Sequence, residues 1–292
     1  MNTFLGVRNA PLDKAKFVIL PVPYDVTTSY IKGTARGPAA ILKASAQVET
    51  FDEELEQDTA QKTSIYTLPT PPLDFRAKAD KFIPALKNSM KTLVRKLSPH
   101  QTLITLGGEH SISYPLVSTY QSIYKDLSVL HLDAHSDLRD SYGGTKHSHA
   151  CVMKRIYDSG IKSIVQVGIR NLTADCLKLL NSRIPHPVSR IYTYLAHTHP
   201  DYKVLGKKIL STLTDKVYVT IDLDVFDPSV MPAVGTPEPG GLNWHQALDI
   251  LRPVFQKKNV VGFDVVELCP IKGQIASDFT AAKLIYRLMG YR

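Results

Sequence analysis

The stretch "LSVLHLDAHSD", residues 127–137, runs from an apolar segment straight into Asp133, His135 and Asp137 at alternate positions. A run that is apolar at nearly every position reads as a strand covered on both faces, the usual state of a strand in a parallel sheet. Seven further runs have this character: "FVILPV" (17–22), "SIYTL" (64–68), "TLITL" (102–106), "SIVQVG" (163–168), "RIYTY" (190–194), "VYVTID" (217–222) and "VVGFDVV" (260–266). Helical patterns lie among them: "GPAAILKASAQVETF", "FIPALKNSMKTLVRKL", "ISYPLVSTYQSIY", "HACVMKRIYDSG", "YKVLGKKILSTL", "NWHQALDILRPVF" and "DFTAAKLIYRLMGY". Strand followed by helix, repeated about eight times, predicts a mainly parallel sheet with helices against it. Pattern alone leaves an open three-layer sheet and a closed barrel as alternatives. There is no repeat or long linker, so residues 1–292 are expected to form one domain.

Composition narrows the function classes. The chain has 43% hydrophobic and 21% charged residues, as ordinary globular proteins do. No run approaches the roughly 20 apolar residues of a membrane helix, and the N-terminus lacks the pattern of a signal peptide. Three cysteines, Cys151, Cys176 and Cys269, are unpaired in spacing, which suggests a reduced, cytoplasmic setting. The net charge of +8 is dispersed, without a basic cluster interleaved with aromatics, so no nucleic-acid partner is expected.

In parallel α/β folds functional groups gather where the strands end. Here "TLITL" leads to Glu109 and His110, and "LSVLHL" to Asp133, His135 and Asp137. "VYVTI" leads to Asp222 and Asp224, and "VVGFDVV" to Glu267. Four aspartates converging in a cleft cannot all remain bare anions, because like charges raise one another's pKa values and cost stability. Two divalent cations would cancel the four charges, at a separation of roughly 3.5–4 Å. Oxygen-rich ligands with two imidazoles and no thiolate favour a hard ion such as manganese, and such a pair activates water as a nucleophile.

The motifs "GGEHS" (107–111), "DAHSD" (133–137), "SHA" (148–150), "DLDVFDPS" (222–229), "GTPEPGG" (235–241) and "VVELCP" (265–270) resemble, in order and spacing, the ureohydrolase family of arginases and agmatinases. The early segment "TSYIKGTARGPAAIL" (28–42) is similar to that family too. The resemblance implies a three-layer α/β/α fold rather than a barrel, two manganese ions per subunit, and hydrolysis of a guanidinium group to urea and an amine. By resemblance, His110, Asp133, Asp137 and Asp222 would hold one ion, and Asp133, His135, Asp222 and Asp224 the other. Asp137 would pass a proton to the leaving amine, His149 would shuttle protons, and Glu267 would pair with the flat guanidinium. The family also implies a homotrimer or homohexamer.

Arginases hold the substrate's carboxylate with residues after the second motif, where this chain has Arg139 in place of an asparagine. "GTPEPGG", with Thr236 and Glu238, and "SHA" look more like agmatinases, so agmatine is the expected substrate, with putrescine as product in polyamine synthesis. Arginine, 4-guanidinobutyrate and N1-aminopropylagmatine are the alternatives. His147 reads as a solvated loop residue, Cys151 as a buried thiol, and Glu109 as a cap or hydrogen-bonding group at a helix start.

Overall fold

The computed structural model describes residues 2–181, 190–198 and 201–292. The strands are β1 (Phe17–Val22), β2 (Phe51–Asp52), β3 (Gln57–Asp58), β4 (Ile65–Thr67), β5 (Thr102–Gly107), β6 (Ser128–Leu132), β7 (Ser163–Ile169), β8 (Ile191–Leu195), β9 (Lys216–Asp222) and β10 (Asn259–Val266). Eight of them form one parallel sheet in the order β4-β1-β5-β10-β9-β6-β7-β8, and β2 and β3 form a separate two-stranded antiparallel hairpin. All eight strands expected from the sequence are present. The hairpin was not expected, because two-residue strands carry no readable period.

Both faces of the sheet are covered, which is why its strands lack alternation. Phe17 and Ile19 of β1 join one apolar cluster while Val18, Leu20 and Val22 join the other, as the two-residue period of a strand requires. Helices α1 (Gly37–Ser45), α6 (Tyr202–Thr212), α7 (Trp244–Lys257) and α8 (Ala276–Tyr291) supply side chains to the first cluster. Helices α2 (Ala79–Val94), α3 (Ser113–Ile123), α4 (Val152–Asp158) and α5 (Ala174–Asn181) cover the other side. The result is an open three-layer α/β/α sheet. Helix starts follow local chemistry: Asn243 and Gln246 form a capping box on α7, and Asp201 accepts the Lys203 and Val204 amides at the start of α6. The first helix is shorter than its pattern suggested, ending at Ser45, and α5 was not expected. Among the described residues no helix is long and apolar enough to cross a membrane.

The central strands β5, β10, β9 and β6 are neighbours in the sheet although they are dispersed along the chain. Their carboxyl ends therefore lie side by side, about 4.8 Å per step. Gly108 permits the close approach at one of them: a Cβ there would lie 2.0 Å from the Tyr24 carbonyl oxygen.

Candidate metal centre

The side chains at these four strand ends meet. His110 begins the turn after β5, and its Nδ1 lies 3.1 Å from Asp133 Oδ2, 3.2 Å from Asp222 Oδ2 and 3.3 Å from Asp137 Oδ2. His135 Nδ1 lies 2.9 Å from Asp224 Oδ2 and 3.5 Å from Asp133 Oδ1. Asp133 thus faces both imidazoles. Backbone amides aim the carboxylates: Asp133 Oδ1 accepts from the His135 amide at 2.5 Å, Asp222 Oδ1 from the Asp224 amide at 2.9 Å, and Asp224 Oδ1 from the Ala134 amide at 3.0 Å. In Asp222 and Asp224 the second oxygen is left to the cluster.

Two candidate site residues have left-handed backbones. Asp137 has φ +50° and Glu267 φ +67°, a region that non-glycine residues seldom occupy. Strain of about 1–3 kcal/mol per residue is commonly found at functional sites, where the surrounding structure holds it in place.

The protonation pattern is that of too many buried acids. Burial, then the charges of Asp224 and Asp133, pushes Asp222 well up; burial, then Asp133, raises Asp224. Asp133 goes the other way. Its burial is outweighed by His131, His110 and His135, and it is held well below the usual carboxylate range. Burial would lower both histidines, but the carboxylates against them win, raising His110 well up and His135 to about 12. The three aspartates titrate as one interacting set: with only protons as counterions, the cluster takes up protons.

This donor set fits a pair of divalent ions. His110 Nδ1 has no hydrogen-bond partner, although three carboxylate oxygens lie within 3.3 Å. Nδ1 faces the space between those oxygens rather than any one of them, as ligands around a common centre do. Two groups of possible ligand atoms, His110 with His131, Asp133 and Asp137, and Asp133 with His135 and Asp224, share Asp133.

A cleft opens over the cluster, lined in part by His149, Thr236, Glu267, Tyr30, Ile31 and Leu172. Glu267 Oε1 accepts the His110 amide at 2.7 Å, and Gly235 leaves room beside Oε2, where a Cβ would lie 3.9 Å away. Burial, then the Glu109 charge, raises Glu267 well up. His149 Nδ1 is 3.2 Å from Thr27 Oγ1, and burial lowers the imidazole's pKa, favouring its neutral form. Glu238 lies just beside the cleft, its Oε1 2.5 Å from Asn171 Nδ2 and 3.8 Å from His135 Nε2. Arg139 lies over the ring of Tyr142, 5.0 Å from its centroid, at the same cleft.

Of the secondary readings, that of His147 changes, while the buried thiol of Cys151 and the hydrogen-bonding alternative for Glu109 hold. Glu109 does not cap the turn that follows it; fully buried, it accepts from the Thr27 amide, Thr27 Oγ1 and Ser111 Oγ, and burial raises it to about 7. His147 is half-buried against Tyr114 rather than solvated. Cys151 is buried, and that burial raises its thiol to about 11, which fits an inert thiol.

His131 was missed. It sits on β6 two residues before Asp133, and its Nε2 lies 2.7 Å from Asp133 Oδ2. Gln166 Nε2 donates to its Nδ1 at 3.0 Å and to the Ser136 carbonyl at 2.8 Å, while Gln166 Oε1 accepts from Thr193. The imidazole therefore accepts at Nδ1 and donates from Nε2, holding Asp133 in place. The available signal was its position: it shares the alternation of Asp133 and His135.

Clustered aspartates and histidines at the ends of parallel strands, with a carboxylate above them in a cleft, define a hydrolytic metal centre. A sequence model described as the Arginase family matches residues 15–290. An N(1)-aminopropylagmatine ureohydrolase of Synechocystis sp. is 38% identical over 283 residues, 95% of this chain and 89% of that protein. An agmatinase of Pyrococcus horikoshii is 34% identical over 284 residues, 94% of this chain and 92% of that one. The solved agmatine ureohydrolase of Thermoplasma volcanium matches with a TM-score of 0.81 at 26% identity, over 97% of this chain and 92% of that one. The chain belongs to the arginase family, whose members are binuclear metal hydrolases, and it is a hydrolase acting on a guanidino C–N bond.

Proposed function

We propose that residues 1–292 form a single ureohydrolase domain that cleaves agmatine to putrescine and urea with two manganese ions. The observation that carries this reading is the meeting of His110, Asp133, Asp137 and Asp222 on one side, and Asp133, His135 and Asp224 on the other, beneath a cleft that holds Glu267. His110, Asp133, Asp137 and Asp222 would hold one ion, and Asp133, His135, Asp222 and Asp224 the second. Bound there, the ions supply charge neutralisation and lower the pKa of a water towards neutrality.

The chain's own groups do the rest. Glu267, with Oε1 anchored by the His110 amide, presents a planar carboxylate to the planar guanidinium and sets its orientation. Positioning matters because charge spread over three nitrogens makes the guanidinium carbon a poor electrophile. Asp137 carries a proton to the departing nitrogen, since an amide anion cannot leave. His149, half-buried and neutral near pH 7, exchanges protons between cleft and solvent. Ile31, Tyr30 and Leu172 offer apolar contact to the substrate's methylenes, Thr236 a hydroxyl, and Glu238 a negative charge towards a distal ammonium.

N1-aminopropylagmatine is the second reading, favoured by relatives of that activity at 38% and 36% identity. Both readings place the enzyme in polyamine synthesis, and the family resemblance and the three free cysteines support a cytoplasmic homotrimer or homohexamer. Urea release by manganese-loaded protein from agmatine, N1-aminopropylagmatine, arginine and 4-guanidinobutyrate tests them. Agmatine is expected to have the highest kcat/KM. A preference for the aminopropylated substrate selects the second reading, and dominant arginine turnover overturns both.

A further inference from the structure

Beneath the cluster lies a second polar layer. Thr105, Asp264, Thr220, His131 and Gln166 occupy one register row across five neighbouring strands, β5, β10, β9, β6 and β7. All five are 0% exposed. A fully buried polar row costs stability unless its members satisfy one another. His131 and Gln166 do so while holding Asp133. The other half of the row centres on Asp264.

Asp264 accepts three hydroxyls: Thr220 at 2.6 Å and Ser113 at 3.0 Å on Oδ1, and Tyr218 at 2.8 Å on Oδ2. The Thr220 proton therefore points to Asp264, and Thr220 Oγ1 has only lone pairs for His110 Nε2, which lies 2.9 Å away. Ser113 Oγ, 3.2 Å from Thr220 Oγ1, gives its own proton to the same carboxylate and does not compete. The imidazole must then donate from Nε2. A neutral histidine protonated at Nε2 carries its lone pair on Nδ1. That is the atom facing Asp133, Asp137 and Asp222 without a hydrogen-bond partner.

We propose that Asp264 and Thr220 are positioning residues that hold His110 in the Nε2–H tautomer and so present Nδ1 as a metal ligand. The inference rests on the reading that His110 holds an ion. A carboxylate acting through a hydroxyl both fixes the ring's rotation and strengthens Nδ1 as a donor. The other imidazole lacks this support: His135 is 24% exposed, and the carboxylate nearest its Nε2 is Glu238 at 3.8 Å. The effect is therefore confined to one ion.

The test is a manganese titration of the metal-stripped full chain, following free Mn2+ by EPR, with the melting temperature of each stripped variant recorded. Wild type is expected to bind two ions and His110→Asn to lose one. Thr220→Val, which keeps the shape and removes the hydroxyl, is expected to weaken that ion about 10–100-fold, with the other ion and Thr220→Ser within about three-fold of wild type. Asp264→Ala is expected to weaken the same ion and to add nothing on a Thr220→Val background. If His110→Asn loses an ion while Thr220→Val or Asp264→Ala binds both as wild type does, the positioning role is wrong and the metal reading stands. If His110→Asn keeps both ions, both readings fail. Loss of both ions together in Thr220→Val, unrelieved by Thr220→Ser, marks a packing role and overturns the proposal.

Discussion

Removing divalent metal should destabilise this protein, and the loss should grow as pH rises. Ions that bind only the folded cluster stabilise it by mass action, about 2.7 kcal/mol for each ion held at one hundred times its dissociation constant. Two ions give about 5 kcal/mol. With an unfolding entropy of about 2.1 cal/mol/K per residue, a chain of 292 residues should lose about 8 °C in Tm on stripping. The pH dependence comes from protons filling the role of the missing cations. Asp222, Asp224 and Glu267 have raised pKa values when folded, so between the unfolded carboxylate range and their folded values the native state binds more protons than the unfolded one. Stability then falls as pH rises. His110 and His135 act in the same direction: their contribution is complete below pH about 6.5 and is lost as pH rises through their raised values. Asp133, with a lowered pKa, contributes above the unfolded value and loses that only near the acid limit, outside this window. Differential scanning fluorimetry from pH 5 to 8, with and without chelator and with metal restored, gives the measurement. Stripped protein whose Tm is unchanged by added manganese, or is higher at pH 8 than at pH 6, would refute the charge argument.

Three further outcomes follow from single residues. Asp133→Asn should abolish urea release and lower metal content, measured by elemental analysis, because Asp133 faces both imidazoles; near-normal activity would sink its shared role. His149→Ala should slow kcat about 10²–10⁴-fold, the usual contribution of a proton-transfer group, without changing metal content; loss of manganese would make it a ligand instead. Arg287, buried at the end of the chain, pairs with Asp52 at 2.8 Å, with Glu53 at 2.6 Å and with Glu54. Removing it by Arg287→Ala strands the fully buried Asp52, which should cost about 3–5 kcal/mol, or about 5–8 °C in Tm. An unchanged melt would show that the ion cluster contributes nothing net.

The strands were legible because burial on both faces writes them as continuous apolar runs, and the acids after them because a charged group following such a run interrupts it. "LSVLHLDAHSD" carries both signals at once. Short elements were not legible: the hairpin of β2 and β3 has too few residues to show a period, and α5 was hidden in a loop-like stretch. The buried polar row was visible only in fragments. His131, Thr220 and Asp264 are single polar interruptions in apolar strands, and a lone interruption looks the same whether it is satisfied locally or by a neighbouring strand.

By itself the sequence determined the kind of each longer element and the chemical types delivered to each strand end. That information is local, since period, charge and turn chemistry are properties of adjacent residues. The structure alone decided which strand ends meet. β5, β6, β9 and β10 follow one order in the chain and another in the sheet, β5-β10-β9-β6, because crossover helices let β10 and β9 pair between β5 and β6. Hydrogen bonding between strands is set by that packing, not by sequence separation. The meeting of His110 with Asp133 and Asp222, and of Thr220 with Asp264, is therefore a tertiary fact.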